Sequence, residues 1–389
     1  MYFVVLNVTL TLFLASVLDR KNRIVYEIFT LILIFFFVGF SYKNGWDLNE
    51  YIRFFNLASQ GTVGVDYLNS TLFIEKGFGY LNYLVSKLNL GFEGFVLVFG
   101  LFTSLIYFHT TRSLRVNFAL FMALFLCASF TRLELSTLRQ GLAVALFFLS
   151  IVFIHKRQFV IFVLLILLAA QFHRTAYVLI LIYPLLIKNY NRKVYWLIAL
   201  FSLPILIINS YSKISLEIVD FIESLSFLRG FDGLLYKIRF YLALDASVLS
   251  PQRLLLLLFY ILTLRFFKPR NMRETIAFNL FSLHIILNFF FSFFSTVILL
   301  RFEYYLQFGW MLVFCYFLSD RITNKYNFRV LAACMIVFCN VKMLLLFKHE
   351  SERAVYFPYM NVLYYHIAYD NKEYKGFEYT NKYADMLNK

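Results

Sequence analysis

The chain has 389 residues, of which 61% are hydrophobic and only 15% are charged, and its mean hydropathy is +0.71. This composition excludes a soluble globular domain and predicts an integral membrane protein. The runs 31–40 and 254–260 are apolar at every position, which excludes the alternating pattern of a β-barrel strand. The net charge of +15 is explained by the excess of Lys and Arg that membrane proteins carry in their cytoplasmic loops. We therefore predict no nucleic acid as a partner.

Successive apolar runs predict an all-α, polytopic membrane protein with about twelve transmembrane helices. In chain order the predicted helices are 2–18, 24–42, 95–110, 116–130, 136–154, 159–172, 176–187, 194–209, 254–267, 275–300, 302–319 and 330–347. The segment 74–90 is ambiguous, since Glu75, Lys76, Asn82 and Lys87 interrupt its apolar positions. We predict that it is interfacial or re-entrant rather than a crossing helix.

The distribution of basic residues supports this arrangement. If segment 74–90 does not cross and the N-terminus is outside, nearly half of the 37 Lys and Arg residues fall in six short inner loops. The short outer turns then carry only Arg132, Arg139, Arg174 and Arg301. We expect one transmembrane domain spanning 1–389, with outer loops 43–94 and 210–253 and an outer tail 348–389.

The charged groups of the outer turns indicate an anion site. Arg139 stands in the first turn after Ser136, His173 and Arg174 end another predicted span, and Arg301 opens the turn between two later spans. Guanidinium groups give fixed, charge-assisted and often bidentate hydrogen bonds to phosphate oxygens. A polyprenyl diphosphate suits such a place, because its tail would lie in lipid and its diphosphate at the interface.

A histidine beside these arginines completes a possible mechanism for glycosyl transfer. Neutral imidazole can take a proton from an attacking hydroxyl near pH 7, and arginines can neutralise the leaving diphosphate. The outer turns contain no HxxxH, DxD or paired carboxylates, so the sequence gives no support to a metal site, and we predict no cofactor.

Several short patterns follow one another along the chain. They are Gly45-Trp46-Asp47 with Tyr51 and Phe55, Glu75-Lys76-Gly77-Phe78 with Tyr80, Leu138-Arg139-Gln140 with Leu142-Ala143, Phe172-His173 with Thr175-Ala176, Arg301 with Tyr304 and Tyr305, and Pro358-Tyr359. In this order they resemble the EpsG-type branch of the Wzy family of polysaccharide polymerases, which implies a location in the bacterial cytoplasmic (inner) membrane. The resemblance implies a fold of the GT-C-like, O-antigen polymerase and ligase type. It also implies processive, inverting transfer of a growing glycan from one undecaprenyl diphosphate carrier to the next O-antigen, capsule or exopolysaccharide repeat unit.

On this resemblance we expect His173 and Arg139 to be catalytic. The expected substrate-binding residues are Arg301, Arg132, Arg174, Asp47, Tyr51, Glu75, Gln140, Tyr304, Tyr305 and Tyr359. The implied partners are the lipid-linked donor and acceptor, the lipid bilayer, a flippase and a chain-length regulator.

Other interpretations remain open from the sequence. Helix-end arginines commonly snorkel to the interface, and Glu75 can pair with Lys76 or Lys43. Alternatively, Asp47 has no role in substrate binding and only caps a helix or orients the outer loop. A flippase for lipid-linked units would need polar groups along a path through the bilayer. The candidates for such groups are Asn279, His284 and Asn288. An O-antigen ligase or a membrane acyltransferase of surface glycans is a further alternative.

Overall fold

The computed structural model of the chain describes residues 1–42, 44–211, 251–292, 296–320, 325–348, 350–357 and 359–362. Most of the described residues are helical, and none of them forms a β-strand; a single bridge pairs Ser41 with Asn361. The all-α prediction is therefore confirmed. Most of the predicted outer loop 210–253 and of the outer tail 348–389 lies outside the described residues.

The helices of the first part of the chain are connected by short turns. They are α1 Tyr2–Leu18, α2 Arg23–Gly39, α3 Leu48–Ala58, α4 Thr62–Ser70, α5 Lys76–Lys87, α6 Phe92–Ser113, α7 Phe118–Phe125, α8 Thr131–Leu135, α9 Leu138–His155 and α10 Phe159–Ala170. A 3₁₀ turn Arg20–Asn22 precedes α2, and a π-helical turn Leu126–Phe130 joins α7 to α8.

The later helices follow a long 3₁₀ segment, Arg174–Ile182. They are α11 Tyr183–Ile187, α12 Arg192–Tyr211, α13 Pro251–Phe266, α14 Met272–Phe290, α15 Thr296–Leu306, α16 Phe308–Asp320, α17 Lys325–Leu346 and α18 Glu350–Tyr356.

Five described helical stretches are long and apolar enough to cross a membrane, judged by length and composition. They are Arg20–Gly39, Phe92–Ser113, Phe118–Leu135, Leu138–His155 and Phe328–Leu346. The apolar helices indicate a membrane protein, while the count of about twelve crossings stays a prediction. Helix α5 has 12 residues, so it is about 18 Å long and shorter than the roughly 30 Å hydrocarbon core.

The chain divides into two compact units. Unit 1 contains Met1–Ile180 and Leu318–Lys389, and unit 2 contains Leu181–Phe317. The single transmembrane domain expected from the sequence stays a prediction.

Helix α7 lies at the centre of unit 1. All eight of its residues are buried, as expected for a helix that is apolar on every face. The Asn117 side chain accepts a hydrogen bond from the Leu120 amide at 3.0 Å and so caps the helix. The rings of Phe121 and Phe148 stack with their centroids 4.7 Å apart, which joins α7 to α9.

Two later elements differ from the sequence prediction. The span 275–300 ends at Phe290, where the Ser292 hydroxyl donates to the Phe289 carbonyl, so Arg301 lies inside α15 rather than in an outer turn. The predicted helix 176–187 begins as a 3₁₀ segment, and α11 starts only at Tyr183 with Pro184 in its first turn, since Pro184 has no amide hydrogen to donate to the preceding turn.

Candidate functional site

The turn before α5 points Glu75 into unit 1. The Asn69 side chain donates to the Ile74 carbonyl at 2.9 Å, and the Ile74 amide donates to the Leu68 carbonyl at 2.9 Å. Glu75 occupies the N-cap position of α5 with extended backbone dihedrals. These bonds fix the turn, and the Glu75 residue is only 7% exposed.

Gly77 lets this turn contact the end of α10 directly. A Cβ atom at Gly77 would lie 2.6 Å from the Cβ of Gln171 and 2.7 Å from its carbonyl oxygen. The Phe78 amide donates to that same oxygen at 3.3 Å. The two sequence patterns around Glu75 and around His173 therefore meet in the folded chain.

Glu75 forms an ion pair with Arg139, which the first turn of α9 supplies. An Nη1 atom of Arg139 donates to Oε2 of Glu75 at 2.6 Å, and their side chains are 25% and 7% exposed. This distance is that of a short, charge-assisted hydrogen bond. The acidic residue thus pairs with Arg139 rather than with the adjacent Lys76, while Lys43, the other lysine considered from the sequence, lies outside the described residues.

His173 and Arg174 approach the other oxygen of the same carboxylate. The backbone amide of Arg174 donates to Oε1 of Glu75 at 3.2 Å, and Nδ1 of His173 lies 3.8 Å from Oε1. The imidazole is 13% exposed. The separation exceeds a hydrogen bond but places the ring within the direct electrostatic influence of the carboxylate.

Helix α3 covers this group from the side. Tyr51 is 3% exposed and lies beside Arg139, whose guanidinium carbon is 6.0 Å from the centre of the Phe54 ring. Burial, followed by the nearby charge of Asp47, raises the pKa of the Tyr51 phenol, so the hydroxyl stays protonated. We call Glu75, Arg139, His173 and Tyr51 the Glu75 cluster.

A second contact region of unit 1 holds Arg132. Its guanidinium pairs with Glu352 at 2.9 Å. Gly45 has φ +107°, and a Cβ atom at this position would lie only 2.1 Å from the Leu135 carbonyl oxygen. The backbone amide of the next residue, Trp46, donates to the Ser136 hydroxyl at 2.7 Å. The Gly-Trp-Asp pattern thus fixes the turn between α8 and α9, which lies close in sequence to Arg139.

The remaining predicted residues of unit 1 have varied surroundings. Asp47 is exposed at the start of α3, and its side chain forms no capping bond. Gln140 is buried at 5% exposure. Tyr359 donates to the Phe37 carbonyl, and its ring stacks on that of Phe37 at 5.0 Å.

Unit 2 contains Arg301, Tyr304 and Tyr305, all on α15. Arg301 is partly exposed, whereas Tyr304 and Tyr305 are 5% and 0% exposed. On the same helix, an Oε1 atom of Glu303 lies 3.4 Å from Nε2 of the buried His284. Glu303 had no role predicted from the sequence, and only its contact with His284 draws attention to this carboxylate.

Asn279, a candidate for a transport path, has its polar atoms engaged inside unit 2. Its amide nitrogen lies 3.2, 2.9 and 2.8 Å from the carbonyl oxygens of Leu185, Leu186 and Lys188. Its oxygen accepts from the Tyr195 hydroxyl at 2.5 Å. The residue therefore closes the C-terminal end of α11, which is a structural role.

A cavity of about 210 Å³ opens beside the Glu75 cluster. It is lined by Asn69, Glu75, Lys76, Ala170, Gln171, Arg174 and Tyr177. Lys76 was part of the sequence pattern but was given no role there. Among the described residues, no group of three His, Cys, Asp or Glu side chains could hold a metal ion.

The comparisons agree with the sequence patterns. The family model described as the EpsG family matches residues 23–361. No curated protein and no solved structure matches the chain. The matched range includes every residue of the Glu75 cluster, Arg132, Arg174 and the whole of α15. Because it also covers most of the 389 residues, the chain belongs to the EpsG family, a family of membrane proteins associated with polysaccharide polymerisation.

Proposed function

We propose that the protein is a repeat-unit polymerase for O-antigen, capsule or exopolysaccharide. It transfers a glycan from a polyprenyl diphosphate carrier onto a lipid-linked repeat unit, with inversion and without a metal ion, at the outer face of the bacterial cytoplasmic membrane. The observation that carries the proposal is the Glu75 cluster, in which a buried carboxylate pairs with Arg139 and lies 3.8 Å from the His173 ring. Family membership supplies the class of reaction.

The reaction is a single displacement at the anomeric carbon of the donor sugar. The acceptor hydroxyl oxygen forms the new glycosidic bond while the bond from the anomeric carbon to the diphosphate oxygen breaks, which inverts the configuration. His173 accepts the hydroxyl proton, and the carrier leaves as its diphosphate. Arg139 stabilises the negative charge that develops on the leaving oxygen.

Glu75 gives these groups a fixed geometry. Its bond to Arg139 restrains a long side chain that otherwise has many rotamers, and its second oxygen faces His173. An imidazole that gains a proton next to a carboxylate is stabilised by the opposite charge. Tyr51 and Phe54 exclude water from one side of the guanidinium, which strengthens its interactions with anions.

The other predicted residues are proposed to recognise the substrates. Arg132, Arg174 and Arg301 contribute to diphosphate binding, and Asp47, Gln140, Tyr304, Tyr305 and Tyr359 contribute to recognition of the sugars. We further propose about twelve membrane crossings with both termini outside. We also propose that a flippase supplies the repeat units and that a chain-length regulator limits the length of the polymer.

Complementation in the native host tests the proposal. The gene is deleted, variants are reintroduced, and the surface glycan is resolved on a gel. We expect wild type to restore a ladder, while His173→Ala and Arg139→Ala leave single repeat units. Matched controls are His109→Ala and Arg53→Ala, since His109 is exposed and Arg53 pairs with Glu50 at 3.5 Å at the surface. A ladder of normal length from both site variants contradicts the proposal.

A further inference from the structure

The cavity beside the Glu75 cluster is suited to an anionic group. Its volume of about 210 Å³ equals that of roughly seven water molecules, at about 30 Å³ each. Its lining combines two cationic side chains, Lys76 and Arg174, with the amides Asn69 and Gln171 and the phenol of Tyr177. All of these groups can donate hydrogen bonds.

The charges around the cavity leave a positive excess. Glu75 is the one acidic residue in the described lining, and its charge is compensated by Arg139 at 2.6 Å and by the Arg174 amide at 3.2 Å. The side chains of Lys76 and Arg174 are exposed. Within the described part of the chain, neither of them forms an ion pair.

Two of the arginines singled out from the sequence are placed differently from Arg174. The charges of Arg139 and Arg132 are already balanced by Glu75 and Glu352, at 2.6 and 2.9 Å. A group that carries several negative charges therefore needs further cations to offset its desolvation. In unit 1 the cavity supplies those cations beside Arg139.

We infer that this cavity binds the diphosphate of the lipid-linked substrate, with Lys76 and Arg174 as its charged ligands, an inference that rests on the proposed function. The diphosphate is held on the Glu75 side of α5, within reach of the turn that carries His173. Lys76 gives a mobile point charge, and Arg174 gives a planar pair of donors. The turn that positions Lys76 is the one that Gly77 anchors on Gln171.

Binding measurements on the purified full chain test this inference. The protein is placed in phosphatidylcholine nanodiscs, and inorganic diphosphate is titrated by calorimetry, with inorganic phosphate as the second probe. We expect Lys76→Gln and Arg174→Gln each to weaken diphosphate binding by about ten-fold or more, as loss of one charge-assisted hydrogen bond predicts. The matched control Lys87→Gln, at the other end of α5, removes the same charge and should bind like wild type.

Several results would overturn the inference. They are the absence of diphosphate binding to wild type, unchanged affinity in both variants, and an equal loss in the Lys87→Gln control, which would indicate general surface charge. Nanodiscs with added phosphatidylglycerol distinguish the lipid source. If that lipid competes fully with diphosphate, the cavity holds ordinary phospholipid headgroups and the assignment is wrong.

The same experiment separates this inference from the proposed function. If diphosphate binding depends on Lys76 but the protein joins no glycans, the diphosphate site is supported and the polymerase function is rejected. If polymerisation depends on His173 but Lys76→Gln binds diphosphate like wild type, the polymerase function is supported and the diphosphate site is rejected. Thermal unfolding of each variant shows that it is folded, which is expected because exposed substitutions cost little stability.

Discussion

At the scale of single residues, the site is organised by Glu75. The sequence singled out Glu75, Arg139 and His173 separately, but it suggested lysine partners close in sequence for the carboxylate. The pairing with Arg139 spans 64 positions and depends on how α5, α9 and α10 pack, so residue spacing alone does not reveal it. Lys76 was missed for the same reason, since only the cavity shows what it faces.

The Glu75–Arg139 pair should stabilise the fold as well as the site. Arg139→Gln leaves a nearly buried carboxylate without its main partner, and we expect a loss of about 2–4 kcal/mol, slightly less than for a fully buried pair because Arg139 is 25% exposed. Unfolding in detergent of the two single variants and of the double variant Glu75→Gln, Arg139→Gln measures the coupling free energy. The exposed Glu50–Arg53 pair is the control, with about 0.2–1 kcal/mol expected. Equal coupling in the two pairs would contradict this assignment.

Gly77→Ala tests the contact between the two sequence patterns. In an open helix, alanine would stabilise by up to about 1 kcal/mol, but the new Cβ would lie 2.6 Å from that of Gln171. We therefore expect a destabilisation of about 1–3 kcal/mol and a shortened glycan ladder. In the control Gly79→Ala, the nearest atom is a Val65 methyl carbon at 3.1 Å, which can shift. An active, more stable Gly77→Ala protein would show that the close approach is not required.

At the scale of elements, hydrophobic runs predicted the long apolar helices of unit 1 to within a few residues, whereas the short helices α3 and α4 were not predicted, because they lie in the predicted outer loop 43–94, which has no long apolar run. The run 2–18 coincides with α1, and 159–172 corresponds to α10. The errors occur where local hydrogen bonding competes with a continuous apolar pattern, as at Ser292, or where Pro184 interrupts it. Such breaks change the position of a predicted site residue, since Arg301 lies in a helix rather than in a turn.

Asn279 should be a structural element of unit 2. Replacing it with Leu leaves the carbonyl groups at the end of α11 without their donor, and we expect a loss of about 1–3 kcal/mol of stability. Unfolding and the glycan ladder are measured together. The control is Asn340→Leu in α17, where the side chain is bonded to the exposed Asn7. A stable Asn279→Leu variant that accumulates lipid-linked units inside the cell would instead favour a transport path.

At the scale of the whole molecule, composition alone indicated a helical membrane protein, but topology depends on which runs cross. We predict that single cysteines at Lys156 and Lys188 are labelled only from the cytoplasmic side, and one at Tyr177 only from outside, in a cysteine-free background. Tyr177 lines the cavity, so its label also reports the face on which the cavity opens. Labelling of all three positions from one side would contradict the proposed topology and the outer location of the site.

The central claim is that the Glu75 cluster joins one lipid-linked glycan to another. The most direct measurement incubates the purified full chain with a polyprenyl-diphosphate-linked repeat unit and follows the products by mass spectrometry. We expect doubled and longer glycans on one carrier, equimolar release of polyprenyl diphosphate, and loss of both products in His173→Ala but not in His109→Ala. Unchanged substrate with wild type, or full activity of His173→Ala, would contradict the claim.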